Sequence, residues 1–191
     1  VILEAVAGCK RRLRQSQIQN LKSKIEQEVD VEFESKAQRA AYEQVSRWIS
    51  EMAAASPPET GVEFFIDPEA PRFVVTYGSS AVNVLVQPLV WEADIEQNDA
   101  LIVIRADVVY GARMTAESMH YLLRQNERMV FGTFGLGSQN EIFFGHTLPM
   151  SVCGGPDELA LYLAMIIKLA NQFDEEITMR WGGYRAADVA V

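Results

Sequence analysis

Three glycines fall within six residues of the stretch VFGTFGLGSQNEIFFGHTLPMS, Val130 to Ser151: Gly132, Gly135 and Gly137, with Ser138 next. Glycines this close together invite comparison with loops that wrap phosphate. A phosphate loop of the Walker kind needs a lysine after its second spaced glycine, to meet the outer phosphates, and then a serine or threonine for magnesium. Gly132 and Gly137 have that separation, but Ser138 stands at the lysine position and Gln139 at the hydroxyl position. The dinucleotide pattern G-x-G-x-x-G also fails, because the order here is G-x-x-G-x-G. Both motifs need a helix opening directly after the loop, so that its free N–H groups face the anion. Here the chain continues instead into EIFFGHTL, a strand-like run. The glycines therefore predict a hairpin, with VFGTFGL and EIFFGHTL as strands and GSQN as the turn, in which Gly137 and Asn140 tolerate left-handed backbone.

The other reactive side chains do not assemble into a site by spacing. His120 falls in a helical run and His146 in a strand, and no C-x-x-C or H-E-x-x-H arrangement for zinc occurs. His146 and Cys153 make a nucleophile pair only if a loop brings them together; otherwise they are one strand-end histidine and one buried thiol. The alternating acids Glu26, Glu28, Asp30, Glu32 and Glu34 are read as the wet side of an extended connector, not as metal ligands. There is no G-x-S-x-G elbow. Catalytic residues, cofactor and metal are all expected to be absent.

Composition narrows the partners. The chain has 191 residues, 49% hydrophobic and 23% charged, with a formal net charge of -9. That charge repels a phosphate backbone, and no nucleic-acid partner is expected. The basic patch Lys10, Arg11, Arg12 and Arg14 is read as a solvated helix start. Cys9 and Cys153 lie too far apart to suggest a disulfide framework, and no apolar run is long enough to span a bilayer, so a cytoplasmic location is expected. Val6 to Cys9, VAGC, looks like a lipoprotein cleavage motif, but Glu4 and the lack of a basic start upstream argue against that reading.

The elements that must carry these residues can be placed from periodicity. Ser16 to Glu28 places Ile18, Leu21 and Ile25 on a thin helical stripe, which with the acidic connector forms an N-terminal extension over 1–34. Residues 35–191 are predicted to form one domain. Ser35 caps a helix whose Ala41, Tyr42, Val45, Trp48, Ile49 and Met52 recur at three or four residues, and Pro57 and Pro58 stop it. Trp48 shares that stripe and is expected in the core. The period then changes to two: GVEFFID, RFVVTYG, AVNVLVQPLVWEAD and ALIVIRADVVYG predict an antiparallel meander, with Pro88 marking an edge or a bulge. Thr115 caps a short helix with Met119, Leu122 and Leu123 on one face. After the glycine hairpin, Pro156, Asp157 and Glu158 open a long helix whose apolar face runs from Leu159 to Phe173 and is wide enough to meet a second subunit. The tail with Trp181 and Tyr184 is expected to fold back irregularly.

This is an α+β order, α-β-β-β(-β)-α-β-β-α. With Leu122 and Asn126, then Gly132, Phe134 and Leu136, then Leu148 and Pro149, the segment from Ser35 to Glu176 resembles the YbjN family, nearest its cyanobacterial branch of uncharacterised proteins. The resemblance implies a type III secretion chaperone-like fold, often dimeric, that binds other proteins and brings no catalytic residue. The resulting expectation is a non-enzymatic interaction or chaperone-like domain, homodimeric, with an unknown protein partner; the alternative is a small-molecule-binding regulatory domain. Trp91, Tyr110 and Phe143 are the candidate partner-binding residues, as aromatics on strands with one face uncovered.

Overall fold

The computed structural model describes residues 31–78, 80–90 and 98–189. The helix expected over Ser16 to Glu28, most of the extension and Trp91 lie outside the described residues. Where the acidic connector is described, its alternation holds: Val31 is buried and Phe33 half-buried, while Glu32 and Glu34 face out.

Helix α1 (Lys36–Ala55) opens on Ser35, whose side chain accepts the N–H of Gln38. Gln38 is itself buried. Its Oε1 accepts the N–H of Glu34 at 2.7 Å, and its Nε2 donates to the Val86 carbonyl at 2.9 Å. One amide thus satisfies the helix start and ties it to the sheet. Ala41, Val45, Trp48, Ile49 and Met52 enter the core as their spacing predicts.

Four strands come next: β1 (Val62–Ile66), β2 (Arg72–Tyr77), β3 (Ser80–Pro88) and β4 (Ala100–Tyr110). They form the expected meander, each antiparallel to the one before. Helix α2 (Ala116–Arg128) then leads to the hairpin β5 (Thr133–Leu136) and β6 (Ile142–Pro149), and helix α3 (Pro156–Trp181) to a short β7 (Tyr184–Arg185). The chain returns from α2 to the outside of the sheet before turning in, so the order is β1-β2-β3-β4-β6-β5, with β7 also paired to β4. The architecture is the α+β class that the sequence predicts.

The sheet has two unlike faces. Alternate residues Val82, Val84 and Val86 of β3, and Ile102, Ile104 and Ala106 of β4, are buried beneath α1 and α3, which also touch each other. The residues between them, Asn83, Leu85, Leu101, Val103, Arg105 and Asp107, are half-buried on the second face. Helix α3 seals the core with Leu159, Leu163, Ile166, Ile167, Phe173, Ile177 and Trp181. At about 1.5–3 kcal/mol for each large apolar side chain removed from water, it is a principal source of stability.

Pro88 is not at a bulge; it is the last residue of β3, beyond the end of the β2 ladder at Leu85, so that β4 is its strand neighbour on one side only, an edge position at the end of an interior strand. Thr115 caps α2 in a capping box with Ser118, but of the predicted face only Leu122 is buried; Met119 and Leu123 are 46% and 64% exposed, because α2 lies along the sheet edge and not on the core. The tail is not irregular throughout. Helix α3 continues to a buried Trp181, and after Gly182 and Gly183 the chain adds β7 to β4. In the glycine hairpin, Asn140 takes the left-handed backbone it tolerates, at φ 59°, whereas Gly137 serves close approach: a Cβ there would run into the Glu141 carboxylate.

Candidate interaction surface

The two outer strands of the sheet are finished differently. On β5, the outward backbone groups of Phe134 are occupied by a side chain: its N–H donates to Asn126 Oδ1 at 2.7 Å, and its carbonyl accepts from Asn126 Nδ2 at 3.0 Å. The amide behaves as one residue of an additional strand and closes that edge. On β1, the bond from Asp67 N–H to the Arg72 carbonyl sets the register, so Glu63 and Phe65 pair inward to β2 while Val62, Phe64 and Ile66 direct their backbone groups outward. Among the described residues the only group meeting these is Thr60 Oγ1, which accepts the Val62 N–H at 3.4 Å. Beside this edge Phe65 is 49% exposed on the second face. A strand rich in apolar residues, free of proline and lysine and with open backbone groups, is a template for another strand.

The second face also carries a polar network. Arg105 donates to Asp107 Oδ1 at 3.0 and 3.2 Å and to the Glu141 carboxylate, and its guanidinium lies 4.0 Å from the centre of the Phe143 ring. Tyr110 donates to Asp107 Oδ2 at 2.6 Å and stacks on Tyr184. Tyr110 reaches this face because the ladder slips between Asp107 and Val109, so that Val108 and Val109 are both buried and the next side chain turns outward. Two of the three candidate aromatics, Tyr110 and Phe143, are thus brought to one cluster. The i, i+2 spacing of Arg105 and Asp107 signals their shared face; nothing local signals Glu141, which stands directly before β6, a strand that joins β4 only through the tertiary fold.

The charges in this cluster are matched and fixed. Burial pushes the Glu141 carboxyl up, but its own N–H, the Arg105 guanidinium and the Gln139 N–H outweigh that and hold it below the usual range. Burial, and then the bond to Asp107, push the Tyr110 phenol up, so it stays protonated as a donor. A set in which each of these charges has a partner ties the hairpin to β4.

The other reactive residues fare no better as a site. The glycines serve close packing: at Gly132, with φ 69°, a Cβ would lie 2.5 Å from the Phe144 ring, and at Gly135 it would strike the Phe143 ring. His146 lies within β6, its ring 4.4 Å from Phe131 and 5.2 Å from Tyr162 between centres, and burial lowers its pKa. Burial raises the Cys153 thiol, whose sulfur lies 3.9 Å from the Gly155 carbonyl. His120 is exposed on α2. Among the described residues no group of three or more metal-binding side chains occurs, and no helix is long and apolar enough to cross a membrane.

These features define a class: an α+β domain built on one antiparallel sheet, with one edge closed by a side chain and a polar network that stiffens its second face. Residues 89–179, from the end of β3 through nearly all of α3, match the YbjN family, described as "Putative bacterial sensory transduction regulator", and this stretch belongs to that family. The match takes in Asn126, Gly132 and the whole hairpin. No curated protein matches the chain.

Proposed function

We propose that the chain is a cytoplasmic, non-enzymatic interaction domain of regulatory or chaperone-like kind, which takes up an extended segment of another protein along β1. The observation that carries this reading is the contrast between the two outer strands: Asn126 occupies the edge of β5, while Phe64 and Ile66 present open backbone groups beside an exposed Phe65. Strand addition would supply main-chain hydrogen bonds, and Phe65 with its cross-strand neighbour Val74 would supply an apolar contact. Capture from native cells with the wild-type chain and with Phe65→Lys, followed by mass spectrometry, tests this. A protein retained by the first and lost by the second supports it. Identical sets from both, with the variant folded, would overturn it.

Homodimer formation through the same edge is a second reading, favoured by register. Two antiparallel copies of β1 centred on Phe64 place Glu63 opposite Phe65 and Val62 opposite Ile66, so no like charges meet and the contact is twofold symmetric. Sedimentation over a concentration series, on wild type and Phe65→Lys, decides between a dimer at this edge and a free one.

A further inference from the structure

The strand ladder opens a fork between β3 and β4. Pairing between them begins at Val82 and Ala106; Ser80 and Ala81 have no partner on β4, and beyond the slip at Asp107 it is β7 that takes up Val109 and Tyr110. The gap is closed from one side by α3 and from another by the turn Ala186–Asp188. Between them lies a cavity of about 110 Å³ lined by Asn83, Asp107, Asn171, Asp174 and Ala187 among others.

The wall chemistry is one-sided. Two carboxylates and two amides line this cavity, and among the described residues no lysine, arginine or histidine does. Asp107 is already satisfied by Arg105 and Tyr110. Asp174 is not. It is 6% exposed, its Oδ1 accepts only the N–H of Glu175 at 2.6 Å, and among the described residues nothing donates to its Oδ2. Arg185, the nearest candidate counter-ion in the tail, is engaged by Asp188 at 2.8 and 2.9 Å and by Glu175 at 3.3 Å. Arg185 acts on Asp174 only through space, and a buried carboxylate that no cation bonds directly is costly; the cost falls when a cation enters beside it.

We propose that this cavity is a binding site for a small organic cation, a guanidinium or short alkylammonium group, held by Asp174 with the Asn83 amide and the Asn171 amide, whose Oδ1 also accepts from Ser80 Oγ at 2.8 Å, as further acceptors. The size agrees: a cavity of about 150 Å³ accepts benzene, so the smaller space here accommodates the planar four-atom guanidinium. The site is independent of the β1 edge, and its ligand would act on the geometry of β4 and the tail.

The test is a titration of the isotope-labelled full chain with guanidinium at millimolar concentration, following the Asp174 carboxyl carbon and the Asn171 side-chain amide, with urea as the neutral isostere. We expect saturable shifts with guanidinium and none with urea. Asp174→Asn, which preserves shape, should weaken binding by about tenfold or more, the value of a charge-assisted contact. Ala187→Leu, which fills the space and leaves the carboxylate in place, should abolish it. Linear, non-saturating shifts, equal responses to urea, or shifts unchanged in either folded variant would overturn the proposal and leave a cavity that holds only water.

Discussion

The side-chain amide of Asn126 donates to and accepts from the backbone of Phe134, so that a residue on a helix completes the outermost strand of the sheet. The Phe134 ring meanwhile packs 5.0 Å from Phe144 and 5.1 Å from Phe173 between ring centres. Residue 134 is therefore held by its backbone from the edge and by its side chain from the core. The Leu-x-x-x-Asn spacing acquires a physical meaning: Leu122 anchors the helix, and one turn later Asn126 reaches the strand.

Replacing Asn126 with Ala should strand a backbone donor and an acceptor at once. We expect unfolding free energy to fall by about 1–3 kcal/mol, read as a lower denaturant midpoint at unchanged slope, together with a greater tendency to associate as the β5 edge opens. Asn126→Asp keeps the acceptor for the Phe134 N–H and should cost less when the pH is low enough to protonate the new carboxyl.

Among the hairpin glycines, Gly132→Ala should be the most damaging. The new methyl would sit at φ 69° against the fully buried Phe144 ring and 3.0 Å from the Gly145 carbonyl, neither of which can yield. A left-handed alanine alone costs about 1–2 kcal/mol, and the steric conflict adds to it. Gly135→Ala meets the half-buried Phe143 ring, which can swing away from Arg105, so its effect should be smaller. Thermal unfolding of the two variants gives the ranking.

Glu141 should contribute acid-sensitive stability. Its folded pKa lies below the ordinary value, so its contribution is fully present above the ordinary carboxylate range and is lost as the pH falls through the lowered value. Glu141→Gln should therefore be less stable than wild type near neutrality by about 1–3 kcal/mol, and the two unfolding curves should converge in acid.

Asp174 carries the opposite sign. Burial raises its pKa against the weaker pull of the Glu175 N–H and Arg185, with Glu175 and Asp188 adding to the rise. The unfolded chain releases this proton first, so the wild type loses stability as the pH climbs from the ordinary aspartate value to the raised one. Asp174→Asn should unfold at a higher temperature than wild type near neutrality, with the advantage fading in acid. Thermal scans across that range check it.

Much of this fold was legible because its signals are local. Ser35 and Thr115 cap their helices through bonds spanning three residues, the period-two runs become β1 to β4, and the missing lysine after Gly137 already argued against a phosphate loop. What the sequence by itself determined is thus the kind and order of elements and the stripe that each buries. The tertiary structure alone decided that β6 lies between β4 and β5, that Met119 and Leu123 stay outside, and that the ladder slips at Asp107 to bring Tyr110 onto the second face. It also brought Arg105 to Glu141 across 36 residues and opened the fork around Asp174. The physical reason is range: a cap or an alternation is satisfied within one turn or one strand, whereas sheet order and register are set by which faces find each other when the whole core closes.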